Sequence, residues 1–216
     1  MNNYDLYKHN KHSHQTLKNQ QYINGFTLIE NYLIPEEEQN LITQINNQKW
    51  VVDYQRRLQY YNYRNELIKP YALIPIPNPI PDFLNKIIDK MINDKIITNR
   101  PDQIIINEYK PGDGLKPHFD RKDYFSNEIV GVSLGSTTTL EFSNGSDKSN
   151  VFLPRRSLYI LKDDARYLWK HGIVPKKYDV VNGIKVTRQT RISITFRNVI
   201  KEKVKTKNIV IPESKI

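Results

Sequence analysis

Residues Arg191–Arg197 read RISITFR, and the alternation within those seven residues sets the fold class. Successive side chains of a strand point to opposite faces. Ile192, Ile194 and Phe196 therefore make one apolar face, and Arg191, Ser193, Thr195 and Arg197 make the other. On a surface strand this is ordinary patterning. In a sandwich whose polar side faces a pocket, it offers two guanidiniums that clamp a dianion through bidentate hydrogen bonds. The segments upstream favour the sandwich. From residue 102 onward DQIIINEY, EIVGVSLG, TTTLEF, VFLP and RSLYILK read as short strands separated by turns. Regular short strands behind a helical layer predict a mainly β, α+β fold, a jelly roll or sandwich backed by helices.

The helical layer comes first in the chain. FTLIENYL reads as a strand, and PEEEQNLITQINNQ as a helix opened by Pro35 with acids in its first turn. KWVVDYQRRLQYYNYRNELI alternates basic and aromatic groups, which predicts paired strands with a solvent-facing or ligand-facing side. Prolines at 70, 75, 77, 79 and 81 make PYALIPIPNPIP an extended loop, excluding regular helix and central strand. A second helix is predicted through DFLNKIIDKMINDKI, with Phe83, Leu84, Ile87, Ile88, Met91 and Ile92 on one face.

Composition narrows the class. The 216 residues suit one domain with short tails; residues 1–22 are polar and aperiodic, and are expected to be disordered. His9, His12 and His14 lie there, where a solvated tail outweighs a loose metal site. No apolar run suits a membrane span or a signal peptide, so an intracellular protein, cytoplasmic or nuclear, is expected. With no cysteine, disulfides and thiolate metal sites are excluded. The net charge of +10 fits a polyanionic partner such as nucleic acid. It also fits compositional drift, since Asn, Ile, Lys and Tyr are abundant and Lys outnumbers Arg 22 to 11. The basic KEKVKTK run ends the chain in a tail, residues 201–216.

The chemistry-bearing residues follow a glycine-bearing turn. KPHFDRKD, Lys116 to Asp123, sets His118 and Asp120 two apart, so that in a strand both face one side. Five His and thirteen Asp in this length give roughly 0.3 such pairs by chance, so the pair alone decides nothing. His171 adds a third donor near a later strand end. Two imidazoles and a carboxylate on one face match the facial triad of non-haem Fe(II) oxygenases, although the same donors accept Mn, Co, Ni or Zn. The competing reading is a satisfied histidine beside an Asx-type turn. Asn107 and Tyr109, in NEY, share a strand face ahead of the pair and add hydrogen-bonding groups. A dicarboxylate co-substrate that chelates the metal needs such a set.

Taken in order, N-x-Y, H-x-D, the distant His and R-x5-R resemble the AlkB family of Fe(II)/2-oxoglutarate dioxygenases over residues 25 to 200. VSLGS and LPRRSLYILKDDARYLWKHGIVPKKYD resemble the branch that hydroxylates a modified wobble uridine in tRNA. The resemblance implies a double-stranded β-helix with an N-terminal substrate lid, its domain spanning 23–200 and its catalytic core about 100–200. It implies that His118, Asp120 and His171 hold Fe(2+), that Arg191 binds the distal carboxylate of 2-oxoglutarate, and that Arg197, Asn107 and Tyr109 complete that site. It further implies oxidation of a C–H bond of a modified or alkylated nucleobase, by hydroxylation or oxidative demethylation, with succinate and CO2 as co-products. The expected partner is RNA, tRNA in particular, bound by a monomer, with a separate tRNA-delivery or methyltransferase partner as an option. YQRRLQYYNYR suits a flipped-base platform, or equally a hairpin that packs its tyrosines into the core. The wobble-uridine enzymes carry an RNA-recognition module and a methyltransferase domain, for which this chain has no room. Where base demethylases have an acid two positions after the metal aspartate, this chain has Lys122. The alternatives are the same chemistry on a protein side chain or small molecule, and a nucleic-acid-binding pseudoenzyme.

Overall fold

The computed structural model describes residues 22–53, 56–66, 72–181 and 183–204. Apart from Tyr22, the expected N-terminal tail and its three histidines lie outside these residues, as does the basic tail beyond Val204.

Two antiparallel sheets form the body. The larger has seven strands in the order β1-β11-β8-β15-β6-β3-β2. In chain order these are β1 (Phe26–Ile29), β2 (Val51–Asp53), β3 (Arg56–Tyr61), β6 (Gln103–Tyr109), β8 (Phe125–Leu134), β11 (Ser157–Leu161) and β15 (Arg191–Val199). The smaller runs β10-β9-β12-β7, from β7 (Leu115–His118), β9 (Thr138–Asn144), β10 (Asp147–Leu153) and β12 (Lys170–Ile173). Two hairpins stand apart: β4 (Tyr63–Glu66) with β5 (Ala72–Pro75), and β13 (Tyr178–Val181) with β14 (Ile184–Thr187).

The RISITFR strand, β15, lies mid-sheet between β8 and β6. Its Ile192, Ile194 and Phe196 are buried in one core with Ile104, Ile106, Val130 and Val132. That core is covered by α1 (Pro35–Asn46) through Leu41 and Ile45, and by α2 (Asp82–Asn93) through Leu84, Ile87, Ile88 and Met91. A second core fills the space between the sheets: Tyr109, Ile129, Tyr159 and Leu161 of the larger meet Leu140, Phe142, Val151 and Leu153 of the smaller. The result is the expected jelly roll, with helices on the outer face of its larger sheet. Both faces of β15 are thus buried, one against helices and the other inside the roll.

Several sequence expectations need correction. Asp120 does not share a strand face with His118; β7 ends at His118, and Asp120 lies on the loop after it. The strand read as FTLIENYL stops at Ile29, where the chain turns through Asn31 at φ 51. Within the proline-rich segment, Ala72–Pro75 form an edge strand, because Pro75 needs no amide donor on the open side of a two-stranded pair. Beyond these corrections, one first-turn acid of α1, Glu38, is buried. It accepts from Gly135 N at 2.8 Å and from both Nε and Nη2 of Arg155, clasping the helix to two turns of the roll.

The β13–β14 hairpin hangs on a buried ion pair. Arg188 donates Nε and Nη2 to the two oxygens of Asp179 at 2.6 and 2.7 Å, and Nη1 to Val174 O at 2.9 Å. Burial alone pushes the Asp179 carboxyl up, but the Arg188 bonds outweigh it and hold the group below its ordinary range. A depressed folded-state pKa adds stability above the unfolded value of about 3.9 that is lost as pH falls through the folded one. Arg188→Met is expected to cost about 3–5 kcal/mol at neutral pH. Urea denaturation checks this, and the gap to the parent protein should shrink below about pH 4. Among the described residues, no helix is long and apolar enough to cross a membrane.

Candidate active site

Register builds the site. In the β7–β12 pair His118 lies opposite His171, and their ring centroids are 4.5 Å apart. The strands approach closely there because Gly172 has no side chain; a Cβ would lie 2.7 Å from Leu115 O. His118 donates Nδ1–H to Lys116 O at 2.9 Å. A carbonyl only accepts, so Nδ1 carries a proton, and the neutral tautomer compatible with this bond has its lone pair on Nε2. His171 is buried, and burial, the nearby His118 and the cations around it lower its pKa to about 3, so its imidazole is neutral.

Asp120 stands between this pair and the larger sheet. Burial disfavours its charge, yet Arg197 and the surrounding cationic groups hold its pKa well below the ordinary carboxylate range. Its Oδ1 accepts from Arg197 Nη2, whereas Oδ2 is buried without a hydrogen-bond partner, 3.8 Å from His171 Nε2. As they stand, no three His, Cys, Asp or Glu side chains among the described residues are arranged as a closed metal site. The donor set nevertheless fits one ion. An orphaned buried carboxylate oxygen costs free energy until a cation or donor meets it. Two ligands of one first-row ion, each about 2.1 Å from it, lie within roughly 4.2 Å of one another, which spans the Asp120–His171 gap. Neutral imidazoles and a carboxylate suit Fe(II).

The inward face of the larger sheet supplies the second half. Across β6, β15, β8 and β11 the register aligns Tyr109 with Arg191, Asn107 with Ser193 and Ser133, and Ile105 with Thr195, Gly131 and Tyr159. Arg191 is 3% exposed, with Nε donating to Ser133 Oγ at 2.8 Å and Nη2 reaching Ser193 Oγ at 3.3 Å. Its guanidinium carbon is 5.5 Å from the centre of the Tyr109 ring. Burial lowers its pKa, and the groups that oppose this are tyrosines, with no carboxylate among them. Arg197 does not converge on the same point. It is committed to Asp120 and, through Nη1, to Gln103 Oε1 at 3.2 Å. The paired clamp read from RISITFR is therefore divided, with one guanidinium beside the carboxylate and the other left open.

One cavity of about 140 Å³ joins both halves, lined by His118, Asp120, His171, Asn107, Tyr109, Arg191 and Arg197 among others. All seven sequence-chosen residues face it. Tyr159, Ser133 and Gly131 escaped the sequence reading. The signal was a glycine inside a strand, which marks close approach: a Cβ on Gly131 would lie 2.1 Å from Tyr159 Cζ. Gly131→Ala should displace that ring, cost about 1–3 kcal/mol and weaken binding of a dianion at Arg191. Thermal denaturation and ligand titration check both effects.

The basic and aromatic segment is split between roles. Arg57 is paired with Glu108 and lies over Trp50 at 4.7 Å, and Tyr61 is buried in the helix-side core. Arg56, Tyr60 and Asn65 line the cavity, with Arg56 over the Tyr109 ring at 5.1 Å. Tyr54 lies outside the described residues. Lys122 is exposed; its Nζ donates to Tyr167 O and lies 4.3 Å over the Phe119 ring.

Comparison with known proteins identifies the family. Residues 49–197 match the family model of the 2OG-Fe(II) oxygenase superfamily. An uncharacterized protein, L905, of Acanthamoeba polyphaga mimivirus is 62% identical over 200 residues, covering 91% of this chain and 95% of that protein. The tRNA (carboxymethyluridine(34)-5-O)-methyltransferase alkbh8 of Xenopus tropicalis is 34% identical over 199 residues. That match covers 81% of this chain and 32% of the relative, so the chain spans about a third of it. The solved structure of OsALKBH1 superposes with a TM-score of 0.62 at 17% identity, covering 82% of this chain and all of that one, a likeness of fold.

Proposed function

The chain belongs to the 2OG-Fe(II) oxygenase superfamily, dioxygenases that use Fe(II) and 2-oxoglutarate, and from that premise we propose that it oxidises a C–H bond of a modified nucleobase in tRNA. The observation that supports the site assignment is Arg191, a buried guanidinium that among the described residues donates to the hydroxyls of Ser133 and Ser193 rather than to a carboxylate, and faces the same cavity as His118, Asp120 and His171.

In this reading His118 Nε2, Asp120 Oδ2 and His171 Nε2 hold the iron. Arg191 binds the distal carboxylate of 2-oxoglutarate by charge-assisted hydrogen bonds, and Ser133 and Ser193 keep its guanidinium plane turned into the cavity. Asn107 and Tyr109 complete the co-substrate site, whereas Arg197, committed to Asp120 and Gln103, serves the metal half. Arg197 also holds the Asp120 carboxylate in one rotamer, which leaves Oδ2 free for the metal. When bound there, Fe(II) and 2-oxoglutarate would supply, with dioxygen, the oxidising power for the C–H bond, with succinate and carbon dioxide as co-products. The apolar wall of Leu115, Leu140, Ile129 and Ile173 limits water around the reacting atoms. Where the oxidised carbon is an N-methyl group, the resulting N–CH2OH breaks its C–N bond to leave N–H and formaldehyde; otherwise the alcohol remains.

Substrate class rests on the tRNA-acting relative and on the +10 charge, which favours a polyanion. Strands β2 to β5 would serve as the substrate lid, because Arg56, Tyr60 and Asn65 reach the cavity from them. Mass spectrometry of nucleosides from total tRNA, treated with the loaded enzyme, is the test. A uridine-derived species gaining one oxygen or losing one methyl group is expected. Unchanged tRNA beside an oxidised peptide library would overturn the substrate assignment.

A further inference from the structure

The loop that carries Asp120 meets the inner core through Tyr124, directly before the buried Phe125 of β8. Lys122 and Asp123 are exposed, and Arg121 and Tyr124 are only half-buried. What converges on it from behind is one side chain. Arg166 is 2% exposed and projects from α3 (Asp163–Tyr167), the short helix that leads into β12. Its Nη1 donates to Asp120 O at 2.7 Å, Nη2 reaches Arg121 O and Phe125 O at 3.3 Å each, and Nε reaches Ser126 O at 3.3 Å. Two carbonyls of the loop, at 120 and 121, and two at the start of β8, at 125 and 126, thus share a single guanidinium.

The helix bearing Arg166 is itself fixed. Ala165 N donates to Asn24 O at 2.9 Å, Lys162 N donates to Gly25 O at 2.8 Å, and Ala165 and Trp169 are buried. His171 follows Arg166 by five residues and lies in β12, the strand that pairs with β7. The two arms of the candidate metal site are therefore joined behind the cavity by one rigid, planar cation.

We propose that Arg166 is a positioning residue for the metal: by holding the Asp120 carbonyl it sets the height and rotation of that carboxylate relative to His171. This inference rests on the assignment of His118, Asp120 and His171 as ligands. Arg197 fixes the side-chain end of Asp120 and Arg166 the main-chain end, so neither substitutes for the other. A lysine keeps the charge but offers one compact ammonium, and cannot span carbonyls at positions 120 and 126 together.

The experiment titrates metal-free protein with Co(II), whose visible d–d absorption reports ligand geometry, for the parent, Arg166→Lys, Arg166→Ala and Asp120→Asn. Arg166→Lys should bind Co(II) about 10–100-fold more weakly, with an altered d–d spectrum and little change in thermal midpoint. Added guanidinium ion at millimolar concentration should restore part of the affinity to Arg166→Ala. If that variant does not fold, Arg166→Gln takes its place. Parent-like affinity and spectrum in Arg166→Lys would overturn the proposal, as would a lowered midpoint with unchanged metal binding. Asp120→Asn separates the two levels. If it binds Co(II) as the parent does, the ligand assignment has failed. If it loses the metal while Arg166→Lys keeps it, only the positioning role has failed.

Discussion

Replacing Arg191 by methionine raises the 2-oxoglutarate concentration needed for half-maximal turnover by a factor of roughly 30 to a few thousand. That range follows from about 2–5 kcal/mol for truncating one partner of a buried, hydrogen-bonded charge pair, at 1.4 kcal/mol per tenfold. A second effect has the opposite sign. Without co-substrate, the parent protein keeps a guanidinium in a buried site among hydroxyls and tyrosine rings, and among the described residues no carboxylate bonds to it to offset its desolvation. Arg191→Met removes that cost, so the ligand-free variant should melt no lower than the parent. The parent gains stability as 2-oxoglutarate is added, by mass action on the folded state, and the variant gains little. Thermal melts across a co-substrate series, with succinate kinetics, check both halves. A variant that melts far lower yet keeps its 2-oxoglutarate affinity would show that Arg191 is a packing residue.

His118→Ala abolishes succinate formation, by more than about a thousandfold, because a group that acts only as part of a unit takes the whole unit with it. His118 presents an Nε2 lone pair whose direction is fixed by the Nδ1 bond to Lys116 O. Among the described residues no further imidazole is left to replace it, since His171 is already its cross-strand neighbour. Stability should change little, because the ring is only half-buried at a strand end. A refolded His118→Ala protein that still makes succinate at the parent rate would refute the ligand assignment. Retained tRNA binding without turnover is the expected companion result.

How far the sequence carries this account depends on period. The fold was readable where one period held across a whole element: the 3.6-residue stripe of α2 and the two-residue alternation of β15 both read directly onto the helix-side core. Strands too short to repeat a pattern were not readable. β12, β13 and β14 have four residues each, and tertiary pairing rather than propensity defines them. The residue types of the site were legible because its chemistry permits few choices. Its geometry was not. The spacing of His118 and Asp120 suggested one strand face, whereas β7 ends between them and Arg166 holds the loop that follows. Likewise, six residues separate Arg191 from Arg197 on one face, but only the fold shows that a carboxylate takes one of them and leaves the other open. Buried arginines that serve backbone carbonyls leave no periodic trace, which is why Arg166 passed unnoticed in ARYLWK.

The central claim is that the histidine–aspartate set and Arg191 form one site, bridged by one co-substrate. Anaerobic equilibrium binding of 2-oxoglutarate, with and without Fe(II), tests it most directly. The account predicts mutual tightening: 2-oxoglutarate binds more strongly with Fe(II) present, a visible metal-to-ligand charge-transfer band appears, and Asp120→Asn removes both. Equal 2-oxoglutarate affinity with and without Fe(II), with no such band, would contradict it.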